Sequence, residues 1–184
     1  MSEKERVKRV LSGDTSAFAY FVDSYQDMAF TIAYRVCCNE QDAEDVVQES
    51  YVKAYRNLHG FRSESKFSTW LYRIVYNTAI THSKRRLWEV NREAEPDDAL
   101  QVTEETLQEE IEVIDRKAVV NDILGRMPTG EALLLTLYYM EDHPVKEIVK
   151  ITGLNESNVK VRLFRARKSF KELMQRCYRI SEIL

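Results

Sequence analysis

The sequence predicts an all-α fold made of two small helical domains joined by an acidic linker, on three observations. Apolar residues recur at helical steps of three and four, with no trustworthy alternation of the strand kind. Only five Gly and three Pro interrupt 184 residues rich in Glu, Lys, Arg and Leu. An acidic run containing Pro96 divides the pattern in two. The expected boundaries are 1–92 for the first domain, 93–113 for the linker and 114–184 for the second, sizes that a chain of this length accommodates.

In chain order, Asp14 is placed to cap a helix running through Cys38, with Phe18, Phe21, Val22, Tyr25, Met28, Ala29 and Ile32 on its core side. Asn39 caps a second helix over 41–58, which buries Ala43, Val47, Tyr51, Ala54 and Leu58 and ends at His59 and Gly60. A polar loop over 62–66 follows. Ser68 then caps a third helix toward Arg86, its apolar side built from Trp70, Leu71, Ile74, Val75 and Thr78. Beyond the linker, Leu107, Ile111, Ile114 and Ala118 repeat at helical spacing, and Pro128 with Gly130 breaks the chain before a helix over 131–140. Pro144 opens a short helix, Thr152 and Gly153 turn the chain, and Asn155 caps the final helix.

Charge separates along the sequence. The net charge is −3, yet residues 93–115 hold ten acidic side chains and no basic one. Removing those ten from 30 leaves 20 acidic against 27 basic, so the rest carries about +7 and suits phosphates. The N-terminus is charged rather than apolar, and the longest apolar stretch (132–140) is too short for a bilayer, so a cytoplasmic protein is expected. Cys37, Cys38 and Cys177 show neither a disulfide framework nor metal spacing, and read as thiols in a reducing compartment. His59, His82 and His143 are scattered, and the acidic residues of the second helix spread around it without a histidine. No active site, metal site or cofactor is expected, and the protein is not read as an enzyme.

The last helix carries the strongest signal. Val159, Leu163, Ala166, Phe170 and Leu173 form one apolar stripe. Phe164 points roughly 140° away from it, among cations, and short helix, glycine turn and long helix is the spacing of a DNA-binding helix-turn-helix. A solvated basic helix whose Phe164 packs on a neighbour is the plainer alternative. On the third helix, Arg73, Asn77 and Lys84 share one face, Arg85 and Arg86 extend a basic end, and Tyr72, Tyr76 and Trp88 supply aromatic surface. Such interleaving suits single-stranded nucleic acid, and an ordinary amphipathic helix with a snorkelling rim fits equally well. On the second helix, Asp45, Glu49, Val52 and Arg56 cluster opposite the core, and Val52 is either a docking contact or a lone surface valine.

Together and in this order, the stretches 42–58 (DAEDVVQESYVKAYRNL), 67–79 (FSTWLYRIVYNTA) and 153–168 (GLNESNVKVRLFRARK) resemble the extracytoplasmic-function group of bacterial sigma-70 factors. The resemblance covers nearly the whole chain apart from the linker. It implies that the first stretch docks on the clamp coiled coil of the core RNA polymerase large subunit through Asp45, Gln48, Glu49 and Val52. It implies that the second reads and melts the −10 element, with Asn77 and the 62–66 loop (Arg62 and Ser63 foremost) holding a flipped base and Arg73, Lys84 and Arg85 holding the strand. The third then reads the −35 duplex through Lys160, Phe164 and Arg165, flanked by Val161, Arg162, Arg167 and Lys168; the family often carries Ser where this chain has Val161. The implied partners are core polymerase, promoter DNA and an anti-sigma factor, and the linker becomes an anionic strap inside the polymerase. A two-domain regulator whose first domain senses a ligand or dimerises is the main rival, and a helical enzyme using Glu104 and Glu105 of the linker a weaker one.

Overall fold

A computed structural model describes residues 1–93 and 116–178, with side chains through residue 86 in the first stretch. The acidic linker, the Leu107, Ile111 and Ile114 repeat and the Trp88 side chain lie outside the described residues. Among those residues the secondary structure is entirely helical, and no helix is long and apolar enough to cross a membrane.

The chain opens with a helix absent from the expectation, α1 (Glu3–Leu11). It is started by a reciprocal cap: Ser2 Oγ accepts from the Glu5 N–H, and the Glu5 carboxylate accepts from the Ser2 N–H. Only Val7 and Val10 are buried, too few apolar positions to announce a helix. The Arg6 guanidinium lies 3.8 Å over the Tyr20 ring, which ties α1 to its successor. Asp14 does not cap that successor. It precedes a single 3₁₀ turn (Thr15–Phe18), and its carboxylate is occupied by Arg9 and Ser16 side chains. The long helix α2 (Ala19–Cys37) begins only afterwards and ends with Cys38 in the left-handed region.

Asn39 caps α3 (Glu40–Arg56) as expected, accepting from the Asp42 N–H at 2.9 Å. A 3₁₀ turn over Leu58–Gly60 follows. The third long helix, α4 (Phe67–Glu93), starts one residue before Ser68, which is therefore buried inside the first turn rather than capping it. Phe67 stacks on Phe21 with ring centroids 4.0 Å apart, and both are fully buried. The helices α2, α3 and α4 pack mutually around this pair.

The second unit comprises α5 (Arg116–Gly125), α6 (Thr129–Leu135) with a π turn over Thr136–Met140, α7 (Val145–Thr152) and α8 (Glu156–Cys177). Ala118 is exposed, and α5 buries Val119, Ile123 and Leu124 instead, so the expected phase there is off by one residue. Pro144 stands at the N-cap position just before α7 rather than in its first turn and makes no side-chain cap, Gly153 takes φ 73° as the C-cap, and Asn155 caps α8 by accepting from the Asn158 N–H at 2.7 Å.

The two units pack on one another, α7 against α4 and α6 against α2. Glu147 of α7 is the polar centre of that contact. Its Oε2 lies 2.8 Å from His143 Nδ1 and 3.3 Å from Thr69 Oγ1 of α4, and Lys66 Nζ stands 4.0 Å from Oε1. A carboxylate only accepts, so His143 carries its hydrogen on Nδ1. Burial pushes the Glu147 carboxyl up, but the hydrogen bond from His143, the Lys66 charge and the Thr69 hydroxyl outweigh it and hold it below the ordinary range. Tyr72 meets the His143 ring edge-on at 5.6 Å and is buried.

Truncating the Phe21 ring removes half of the central stack. Phe21→Ala is expected to cost about 3–5 kcal/mol in equilibrium denaturant unfolding, and a cost below about 1 kcal/mol would show that the stack does not organise the N-terminal unit.

Candidate nucleic-acid interface

The fold delivers three exposed surfaces. On α8 the buried stripe is Val159, Leu163 and Ala166, with Phe170 and Leu173 packed against the core at its edge. Every residue expected to meet duplex DNA (Lys160, Val161, Arg162, Phe164, Arg165, Arg167 and Lys168) lies on the exposed side. Phe164 is 68% exposed, so its ring is not packed on a neighbour, and Val161 is 45% exposed. Leaving a phenyl ring in water gains nothing for the fold, which separates this surface from a merely solvated basic helix. Lys160 pairs with Glu156 at 2.7 Å, and Lys168 with Glu172 at 3.8 Å, both one helical turn away. Arg162 Nε donates to Asn158 Oδ1 at 3.1 Å. Arg165 and Arg167 are exposed and have no ion-pair partner among the described residues, and Arg167 also lines an apolar cleft with Leu124, Leu135 and Phe170.

The second surface centres on the start of α4. The loop after the 3₁₀ turn carries Ser63 at φ 55° and leads into a cleft of about 280 Å³ lined by Phe61, Arg62, Thr69, Trp70, Arg73 and Lys150 among others. Arg62 and Arg73 are thus brought together. Asn77 is exposed one turn beyond Arg73, and Lys84 and Arg85 are exposed about two turns further along. Two expected aromatics are not free. Tyr72 is buried beneath the second unit and Tyr76 is half-buried, because α7 covers that side of α4. Burial raises the Tyr76 phenol, with the Arg162 charge offsetting part of the effect. The cleft instead gains Phe61 and Trp70, the latter read from sequence as core alone. An aromatic just before a polar loop and another just after the helix start were the signal available for both. Lys150, donating to the Glu64 carbonyl at 3.5 Å, had no signal in sequence.

The third surface is the outer face of α3. Asp45, Gln48, Glu49 and Val52 are all exposed at helical spacing, and Val52 is 49% exposed. Glu49 pairs with Lys53 at 2.7 Å, and Lys53 also donates to Thr78 of α4 at 3.2 Å.

Both units match known families. A model of sigma-70 region 2 matches residues 21–89, and a model of sigma-70 region 4 matches residues 118–170. The chain is 31% identical to the ECF RNA polymerase sigma factor SigW of Bacillus subtilis, over 95% of this chain and 98% of that one. It is 34% identical to the RNA polymerase sigma-H factor of Pseudomonas aeruginosa, over 94% of each. It is 32% identical to the ECF RNA polymerase sigma-E factor of Haemophilus influenzae, over 95% and 96%. Among solved structures, the fold is shared with CnrH in complex with the cytosolic domain of CnrY, at TM-score 0.66 and 22% identity over 96% of this chain and 99% of that one. It is shared also with the sigma factor RpoE bound to the anti-sigma factor NepR from Bartonella quintana, at TM-score 0.67 and 19% identity over 86% and 96%.

Because its side chain is mostly in water, Phe164→Ala is expected to change unfolding stability by less than about 0.5 kcal/mol while weakening duplex binding. Arg165→Ala is expected to lower the slope of log affinity against log salt by about 0.9. Salt titrations of binding to a promoter fragment measure the second effect, and an unchanged slope removes Arg165 from the phosphate contacts.

Proposed function

Because the chain belongs to the extracytoplasmic-function group of the sigma-70 family, we propose that it binds core RNA polymerase and directs it to a restricted set of promoters. The observation that carries this reading is the presence, in one chain, of two exposed cationic surfaces that also carry aromatic side chains. One is an exposed cationic helix with an outward phenylalanine, and the other a cationic, aromatic cleft at the head of α4. The work is binding, not catalysis.

In this reading the domains are 1–92 and 114–184, with 93–113 as the strap between them. The α3 face of Asp45, Gln48, Glu49 and Val52 docks on the clamp coiled coil of the large subunit. Val52 supplies apolar area in the middle of a charged rim, the usual anatomy of a docking surface. α8 enters the major groove of the −35 element. Lys160, Arg162, Arg165, Arg167 and Lys168 fix its position on phosphates and base edges, and Phe164 and Val161 supply apolar contacts such as a thymine methyl. At the −10 element, Arg62, Ser63 and Asn77 hold an unstacked base, and Arg73, Lys84 and Arg85 hold the strand that carries it. Capturing unpaired bases offsets part of the cost of opening the duplex. The acidic strap acts as a nucleic-acid surrogate in a basic channel. The protein works in the cytoplasm. Control by an anti-sigma factor is part of the proposal, supported by the solved complex in which a sigma factor of this fold is bound to the anti-sigma factor NepR.

Asn77→Ala is expected to reduce promoter opening with core polymerase by tenfold or more, taking about 1.5–3 kcal/mol for a lost polar contact to the captured base, while duplex −35 binding stays near normal. Permanganate footprinting of the melted region beside a duplex-binding assay reads both, and equal opening by the two proteins removes Asn77 from the site. Val52→Asp is expected to weaken association with core polymerase without weakening −35 duplex binding, as read by competition against the unmodified chain.

A further inference from the structure

The turn between α2 and α3 carries two adjacent thiols with no part in the proposed promoter role. Cys37 closes α2 half-buried, and Cys38 follows it exposed. The turn is pinned from both sides. The Cys38 N–H donates to the Tyr34 carbonyl at 2.8 Å, and Asn39, next in the chain, caps α3. Cys38 also holds φ 53°, a left-handed conformation for which a helix end usually carries glycine. Each thiol has a guanidinium for a neighbour. Burial pushes the Cys37 thiol up and the Cys38 charge adds to the rise, while the Arg86 charge from α4 opposes it. Arg35 is half-buried, and its Nε is enclosed without a hydrogen-bond partner among the described residues. Burial pulls that guanidinium down, and the charges that offset the effect are those of Tyr34 and Cys38. Cations beside thiols are the setting in which cysteines bind and react.

What such a pair can hold is narrow. The Cys37–Cys38 peptide is trans, which sets the Cα atoms about 3.8 Å apart, short of the about 4.4 Å at which disulfides begin. A bond between the two sulfurs is therefore disfavoured, and they remain a dithiol. Structural zinc is tetrahedral and takes all its ligands from protein, yet among the described residues no third His, Cys, Asp or Glu joins them as a metal-binding group. The remaining class is a thiophilic centre satisfied by two thiolates. We propose that Cys37 and Cys38 form a binding site for trivalent arsenic, held by both sulfurs with its third position left to hydroxide. Arsenous acid, As(OH)3, exchanges two hydroxides for the two thiols. Each hydroxide leaves as water with a thiol proton, so two waters are released and arsenic stays trivalent. The pinned turn presents the pair already ordered, which lowers the cost of binding relative to a loose chain.

Arsenite titration of the reduced full-length chain, followed by native mass spectrometry, tests this. The unmodified chain and Cys177→Ser are expected to take up one arsenic each with loss of two waters. Cys37→Ala and Cys38→Gly are expected to bind at least about a hundredfold more weakly, the gain lost when a second ligand no longer binds intramolecularly. Glycine suits the left-handed position, so weakened binding by Cys38→Gly is not a failure to fold. Arsenite affinity that Cys38→Gly retains, or that only Cys177→Ser lowers, overturns the inference. So does equal affinity of the native chain and of the same chain unfolded in urea, because a dithiol that gains nothing from the fold is not a site. Tighter binding by the native chain, lost in both Cys37→Ala and Cys38→Gly, supports it.

Discussion

The stack of Phe21 on Phe67 is the contact from which the rest of the N-terminal unit follows. Phe67 is the first residue of α4, so fixing its ring fixes where the helix begins and how it is rotated. That rotation turns Leu71, Val75 and Ala79 inward and leaves Arg73 and Asn77 outward. It also sets the exit of the preceding loop, because Phe61 and Trp70 pack edge-on and tilted against the same ring. A cleft that depends on the relation between a loop and a helix start is thereby made rigid by apolar packing rather than by its own polar groups. Hydrophobic burial supplies the precision, and Arg62 and Arg73 are left exposed at the cleft.

Charge is arranged on the same principle. Lys160 and Lys168 of α8 are paired only with exposed neighbours one turn away, and exposed pairs of that kind are worth little. Pairs that weak cost little to exchange for phosphates in the proposed role of α8. The carboxylate of Glu147 is treated differently, partly buried and approached by three donors. A charge so enclosed is costly to strand, which gives the contact between the two units a definite register.

Much of this was legible in the sequence because it is local. Asn39 and Asn155 cap their helices as their spacing indicates, Gly153 takes the left-handed turn, and the Val159, Leu163 and Ala166 stripe is buried. The outward Phe164 is a consequence of that stripe and was equally readable. The failures come from three sources. α1 carries two buried valines, too few for a periodic pattern, although its Ser2 and Glu5 cap was there to be seen. Asp14 looked like a cap because its side-chain type is right, but Arg9 and Ser16 hold its carboxylate. Tyr72 and Lys150 depend on a contact between halves of the chain, and no property of a single helix announces that a neighbour will cover it.

The exposed edge of α4 is also a ruler. From Arg73 to Lys84 it advances 11 residues, about 16 Å along the axis, which matches five nucleotides at the stacked spacing of about 3.4 Å and fewer once the bases are splayed. Under the proposed role of α4, a footprint that short offers little information by itself, and the remainder of the selectivity falls to α8. In that reading the choice of target is a conjunction, in which neither surface alone suffices.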